Sequence, residues 1–269
     1  MNPADFTTCA YCPRLCRHVC PVAVATGREA AVPATMMAAP LLVAQSVFTP
    51  ADALAATSLC LGCGACTAHC KVHIPVAERL AEFRGDPPSF DALAPIEGDA
   101  RLVCVVTAPS QAAWPAAWSA REGRPVAVLH TADSLGHPAW SRGDTRVAPA
   151  VAAHLSGREV VTGSGAVDAV ALAAGIVVHR LPEPSAPERF VPCHETPTWG
   201  PGQLACCGRR DRFPEREPEA ARAVAEENVR RFGGRRVACA DEECAAWLSR
   251  FGADVAGPLD PLLGDPDVR

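Results

Sequence analysis

The chain has one lysine, Lys71, and one tyrosine, Tyr11, and its formal charge of -5 leaves no surplus of positive charge. A chain without that surplus has no general attraction to nucleic acid or anionic lipid, so nucleic acid is excluded as a partner. Long apolar runs are also missing. The stretch 31–47 is interrupted by Pro33 and Pro40, and 167–178 falls short of the about 18 residues a membrane span needs. No transmembrane segment is therefore expected, although a membrane-bound redox partner is left open. The start, MNPADFTTCAYC, lacks the charged opening and apolar run of an export signal. The expectation is a soluble, cytoplasmic protein. There is no serine or cysteine hydrolase arrangement and no phosphate-binding loop ending in Gly-Lys-Ser/Thr. The 26 prolines accompany an excess of Ala and Arg, a bias of composition and not a sign of disorder.

Cysteine is what the chain has in excess, with fourteen in 269 residues. Where thiols stay reduced, cysteine at this density reads as metal binding. Cys9, Cys12, Cys16 and Cys20 are followed by Pro21, in CAYCPRLCRHVCP. Further on, Cys60, Cys63, Cys66 and Cys70 form CLGCGACTAHC, the C-x2-C-x2-C-x3-C spacing of bacterial ferredoxins. In that arrangement three close cysteines bind one [4Fe–4S] cube and the fourth reaches the other cube. The expected sets are Cys9, Cys12, Cys16 and Cys70 for one cluster, and Cys60, Cys63, Cys66 and Cys20 for the second. Gly62 and Gly64 let the backbone approach the cluster. The first quartet has three residues between Cys12 and Cys16, and Lys71 stands where a proline would follow the second; neither change removes a ligand. The competing reading is a pair of structural zinc sites. Those usually pair two C-x2-C knuckles across a longer gap, so crowded quartets suit cubes better. His69 and His73 flank a complete quartet and read as structural.

Between the quartets, 22–45 reads as helix broken at Pro33 and Pro40. Thr49 with Pro50 offers an N-cap and first position for a helix over 51–59, and 76–84 reads as another helix. The ligand loops are thus linked by helices, as in an α-helical ferredoxin domain. The segments CPVAVATGREAAVPATMMAAPLLVAQ, SLCLGCGACTAHC and IPVAERLAEFR resemble the iron–sulfur subunits of heterodisulfide reductase, anaerobic glycerol-3-phosphate dehydrogenase and glycolate oxidase. The resemblance covers residues 6–85 and implies electron relay between a flavoprotein partner and another carrier.

After 86–97, a linker rich in Pro, Asp and Gly, the periodicity changes. Strands are expected at 101–107, 125–130, 160–162 and 176–181, with helices at 111–121, 146–155 and 166–174. That alternation argues an α/β domain with a largely parallel sheet. Cys193, the Cys206-Cys207-Gly208 run, Cys239 and Cys244 follow, with a helix at 217–232. They resemble the CCG cysteine-rich domain of the same family, which implies a third [4Fe–4S] cluster, or zinc, at a metal centre on Cys193, Cys206, Cys207 and Cys244. Cys239 is either a fifth ligand or a buried cysteine. His194 is either a hydrogen-bond donor to the cluster or a turn residue. Residues 98–185 resemble a first CCG module without its cysteines: Ser134 and Leu135 stand at two cysteine positions of the family motif, and Cys104 reads as a packed core residue. Thr162-Gly163-Ser164-Gly165 reads as a turn, and Arg209, Arg210 and Arg212 as a solvated loop.

The expected fold is therefore α+β and multi-domain: an α-helical ferredoxin domain over 1–85, a linker over 86–97, a cysteine-poor CCG-like module over 98–185 and a CCG module over 186–269, the last two as pseudo-repeats. The expected role is an electron-transfer component of an oxidoreductase. No flavin or nicotinamide motif is present, so a flavoprotein oxidoreductase subunit is the expected partner. The alternatives are a catalytic CCG cluster acting on a disulfide or quinone, and a zinc-bearing docking module.

Overall fold

The computed structural model describes residues 3–85, 93–107, 111–131, 146–162, 165–180, 188–190, 204, 206–210, 213–239 and 241–257. The chain divides into two units. One comprises Met1–Pro87, Val191–Gly234 and Arg250–Ala253; the other comprises Pro88–Phe190, Arg235–Ser249 and Asp254–Arg269. Among the described residues no helix is long and apolar enough to cross a membrane.

The first unit is helical. Helix α1 (Pro3–Tyr11) leads into the first quartet, and a 3-10 turn (Leu15–His18) carries Cys16. Then come α2 (Pro21–Thr26), α3 (Pro33–Ala44), α4 (Pro50–Thr57), α5 (Ala65–His69) and α6 (Val76–Arg84). Prolines open α2, α3 and α4 at their first positions, where the missing N–H costs nothing. The cap of α4 is a full capping box: Thr49 Oγ1 accepts from the Asp52 amide at 3.2 Å, and Asp52 Oδ2 accepts from the Thr49 amide at 3.0 Å. Pro33 breaks the helical run as expected, but Pro40 does not; it lies inside α3. Proline removes one ladder bond there. α3 absorbs the loss because it is the centre of the unit, with Met36, Met37 and Ala39 buried and with α1, α4 and α6 packed around it.

Two later helices belong to this unit, α10 (Phe213–Arg216) and α11 (Pro218–Phe232). The buried stripe of α11 runs through Ala221, Val224, Ala225, Asn228 and Phe232, the spacing of one helix face. α11 packs against α2.

The second unit holds two parallel sheets. In the first, the order is β2 (Val126–His130), β1 (Leu102–Val106), β3 (Glu159–Thr162), β4 (Val177–Arg180). The connections carry α7 (Trp114–Glu122), α8 (Val147–His154) and α9 (Gly165–Ala173). Every residue of β1 is buried, as a parallel strand covered on both faces must be. Val103 and Val105 face one way, into a core with Leu129, Val151, Leu155 and Val170. Leu102, Cys104 and Val106 face the other way, onto Trp114 and Trp118. The expected alternation of strands and helices is thus present, with boundaries shifted by no more than three residues. The second sheet has the order β5 (Glu188–Phe190), β6 (Val237–Cys239), β7 (Val255–Ala256), with α12 (Glu242–Ser249) following β6.

Candidate metal centres

The two quartets share one backbone plan. Gly64 is left-handed (φ 74°) and precedes the short helix that carries Cys66; Arg14 is left-handed (φ 61°) and precedes the turn that carries Cys16. Cys20 and Cys70 both leave their turns extended, at φ -71°, ψ 115° and φ -75°, ψ 122°. Arg14 therefore occupies the place of Gly64, and the extra residue of the first quartet is Pro13. A left-handed arginine costs about 1 kcal/mol that glycine avoids. In return, the Arg14 amide donates to Cys12 Sγ at 3.3 Å.

Cys20, Cys60, Cys63 and Cys66 line one apolar pocket, open to solvent, with Pro21, Met36, Leu61, Gly62 and Val76 among its walls. The electrostatic neighbours of Cys9 are Cys12, Cys16 and Cys70, so the last cysteine of the second quartet comes to the first. Burial, then repulsion from those three thiolates, pushes the Cys9 thiol up to about 12. Burial does the same to Cys20, also to about 12, against amide donors from Ala23 and Val22 that favour its thiolate. Burial drives Cys66 well upward, with Cys60 and Cys63 adding to it. Cys16 rises by burial, countered first by the Ala34 amide at the start of α3.

Buried thiols that raise one another's pKa ionise only around a strongly cationic centre, and the chemistry of the donor set fits iron–sulfide cores. None of the thirteen described cysteines is in a disulfide. Among the described residues, no three His, Cys, Asp or Glu side chains converge on a single ion. A cube takes each thiolate at a separate iron, so its ligands stand further apart than those of one zinc.

The CCG run is held from α11. Cys206 and Cys207 are buried, and Asn228, itself fully buried, accepts from the Leu204 amide at 2.9 Å. Its Nδ2 donates to the carbonyls of Cys206 at 3.0 Å and Val224 at 3.1 Å. Gly208 is left-handed (φ 98°), and a Cβ there would lie 2.7 Å from the Ala221 carbonyl oxygen. From the end of α10, the Arg216 guanidinium donates to the carbonyls of Ser58 at 3.1 Å and Cys60 at 3.0 Å, and Ser58 Oγ donates to Glu217. Asn228 and Arg216 were not expected from the sequence. Asn228 could have been found as the one polar residue on the apolar stripe of α11.

In the second unit, Cys239 ends β6 and donates to the Asp241 carbonyl at 3.2 Å. Asp241 Oδ1 accepts from the Cys244 amide at 2.8 Å, which places Cys244 in the first turn of α12. Cys104 lies in the β1 core, its thiol pushed up to about 12 by burial. Cys193, His194, Ser134, Leu135, Gly163, Ser164 and Arg212 lie outside the described residues. Arg209 and Arg210 are half-buried, not fully solvated.

Residues 5–74 match the 4Fe-4S dicluster domain family. No curated protein and no solved structure matches the chain. The match covers the whole of both quartets and ends before the α/β part: the protein carries a ferredoxin-type 4Fe–4S domain at its N-terminus, in a chain of mixed helix and strand.

Proposed function

We propose that the protein is an iron–sulfur electron-transfer subunit of a multi-component oxidoreductase, working between a flavoprotein partner and another carrier in a reducing, cytoplasmic setting. One [4Fe–4S] cluster would be held by Cys9, Cys12, Cys16 and Cys70, and a second by Cys20, Cys60, Cys63 and Cys66. The observation that carries this reading is the crosswise gathering of thiols: Cys20 from the first quartet lines the cavity of Cys60, Cys63 and Cys66, while Cys70 stands among the neighbours of Cys9. Each cluster, when bound, takes up or gives up one electron. The chain's own groups set how readily. The Arg14 amide donates to Cys12 Sγ, and the backbone of Val22 and Ala23 beside Cys20 and of Ala34 beside Cys16 favours the thiolate, all of which support the more negative state. The apolar walls around Cys20, Cys60, Cys63 and Cys66 lower the local dielectric and strengthen the charge interactions of those sulfurs.

A third centre, iron–sulfur or zinc, would draw on the CCG run with Cys206 and Cys207. Cys239, buried at the end of β6, is either a fifth ligand of that centre or a packed thiol.

The test is iron and acid-labile sulfide analysis with EPR of the full chain purified without air. Cys20→Ser and Cys70→Ser should each remove one reduced-cluster signal, and Cys104→Ser should remove neither. Zinc without sulfide at the N-terminal sites would end this reading.

A further inference from the structure

Resting on the two-cluster reading, the structure supports a further step concerning where electrons leave the protein. The two thiol sets differ in exposure. Cys20, Cys60 and Cys66 are buried and Cys63 is half-buried, whereas Cys12, Cys16 and Cys70 are all half-buried with only Cys9 buried. Large apolar side chains stand out of the protein beside the second of these groups. Tyr11 is 83% exposed next to Cys12, Leu15 is 58% exposed next to Cys16, and Val72 is 62% exposed two residues after Cys70. The turn that carries Cys16 packs on α5, which ends at Cys70, so these residues belong to one region of the first unit. The other exposed large apolar residues among those described, Val47, Leu54, Leu172 and Val177, have no neighbouring cysteine in the sequence.

The charges around the patch are of one predominant sign. Arg14, Arg17 and Lys71, the only lysine in the chain, are exposed there. The carboxylate among them is Glu29, shared between Arg17 at 2.8 Å and Arg14 at 3.5 Å. Asp5, an acid near Cys9, shares Arg79 at 2.6 Å with Glu82 at 2.8 Å, so that trio carries one net negative charge beside the three exposed cations and Glu29. A local cationic excess thus lies on a protein of net charge -5. An apolar centre with a charged rim is the composition of a transient docking surface, and the rim selects the partner's sign.

We propose that the surface of Tyr11, Leu15 and Val72 with Arg17 and Lys71 docks an acidic redox protein, and that electrons cross there to and from the cluster on Cys9, Cys12, Cys16 and Cys70. The exchange moves one electron per encounter and makes or breaks no bond. A second copy of this chain would bring like charge against like charge and is disfavoured as the occupant.

The experiment follows oxidation of the anaerobically reduced full chain by two one-electron acceptors of opposite charge. Plastocyanin, an acidic copper protein, goes from Cu(II) to Cu(I); cytochrome c, a basic haem protein, goes from ferric to ferrous. With plastocyanin the rate should fall at least about fivefold between about 0.01 M and about 0.15 M ionic strength, as the Debye length shrinks from about 30 to about 8 Å. Arg17→Glu with Lys71→Glu should slow plastocyanin by a similar factor and leave cytochrome c as fast or faster. Tyr11→Ser should slow plastocyanin at every salt concentration. The double variant is scored only with its iron content and EPR signal intact; should it fail to assemble, the opposite salt dependences of the two probes on the unaltered chain decide. Rates that ignore salt and charge, faster exchange with cytochrome c, or concentration-dependent dimerisation that blocks plastocyanin would each overturn the docking surface. A reduced chain with no cluster signal would instead overturn the two-cluster reading beneath it.

Discussion

Asn228 shows how much one buried polar residue can organise. It meets an amide at Leu204 and carbonyls at Cys206 and Val224, so its oxygen and both hydrogens on nitrogen are used, and none of the three partners needs water. Removing it takes one hydrogen bond from the Leu204 amide and one from the Cys206 carbonyl in a buried setting, where a lost polar contact is costly. Asn228→Ala is expected to lose about 2–3 kcal/mol of stability in anaerobic denaturant unfolding. Asn228→Asp should lose more, because the side chain then brings a buried charge and no donor. Equal stability of the alanine variant and the unaltered chain would mean that the CCG run is held by something else. This residue was legible only in part: the helix 217–232 could be read from its apolar stripe, but two of the three hydrogen-bond partners of the asparagine, the Leu204 amide and the Cys206 carbonyl, lie 24 and 22 residues earlier, which no local pattern encodes.

At the scale of elements, α10 and α11 act on both cysteine systems of the first unit. The carbonyl of Ala221 on α11 comes so close to Gly208 that a methyl group cannot fit, and Gly208 is left-handed as well. Gly208→Ala therefore meets a backbone atom and a strained φ together, and should cost about 2–4 kcal/mol, read as a lowered unfolding midpoint with unchanged m-value. α10 reaches the other system through Arg216, whose cation sits on the carbonyls of Ser58 and Cys60 at the mouth of the second ligand loop. Arg216→Gln removes that positive charge while leaving a donor. On the proposed two-cluster reading, one midpoint should fall by roughly 40 mV, about 1 kcal/mol for a one-electron couple, and the other should stay put. Arg216→Lys should restore most of the difference. Redox titration followed by EPR measures this, and equal shifts in both midpoints would remove Arg216 from its assigned place. The caps that begin these elements were readable because they are local: Thr49 with Asp52, and proline at the first turn of α2, α3 and α4. Pro40 misled for the opposite reason, since packing around α3 outweighs one lost hydrogen bond. The strands β5 and β7 have three and two residues, too few for an alternating pattern to show.

For the whole molecule, the cysteine spacing in the sequence is enough to state an expected grouping of thiols, because ligand geometry is dictated by the chemistry of the centre and needs few residues to state. What spacing does not convey is that a later segment completes the helical unit. Residues 191–234 belong with 1–87, and the contact is specific: α11 covers α2, whose first residue follows Cys20, and Arg28 of the same segment pairs with Glu219 at 3.7 Å. A chain cut after Gly85 would keep all eight N-terminal cysteines yet lose the cover over α2 and the Arg216 bonds to Ser58 and Cys60. If the ligands alone secure the clusters, the cut chain and the full chain should release iron to a chelator at the same rate. The packing argues otherwise. The exposed pair Arg28–Glu219 adds little, but uncovering the apolar face of α2 and freeing the Cys60 loop both favour local opening, and opening is what admits the chelator. The cut chain should therefore lose its visible absorption at least about tenfold faster under anaerobic chelator challenge, which corresponds to about 1.4 kcal/mol less protection against opening. Loss should begin with the cluster on Cys20, Cys60, Cys63 and Cys66, whose EPR signal would fade before that of its neighbour. Simultaneous fading at an unchanged rate would show that the first 85 residues hold their iron without help from α11.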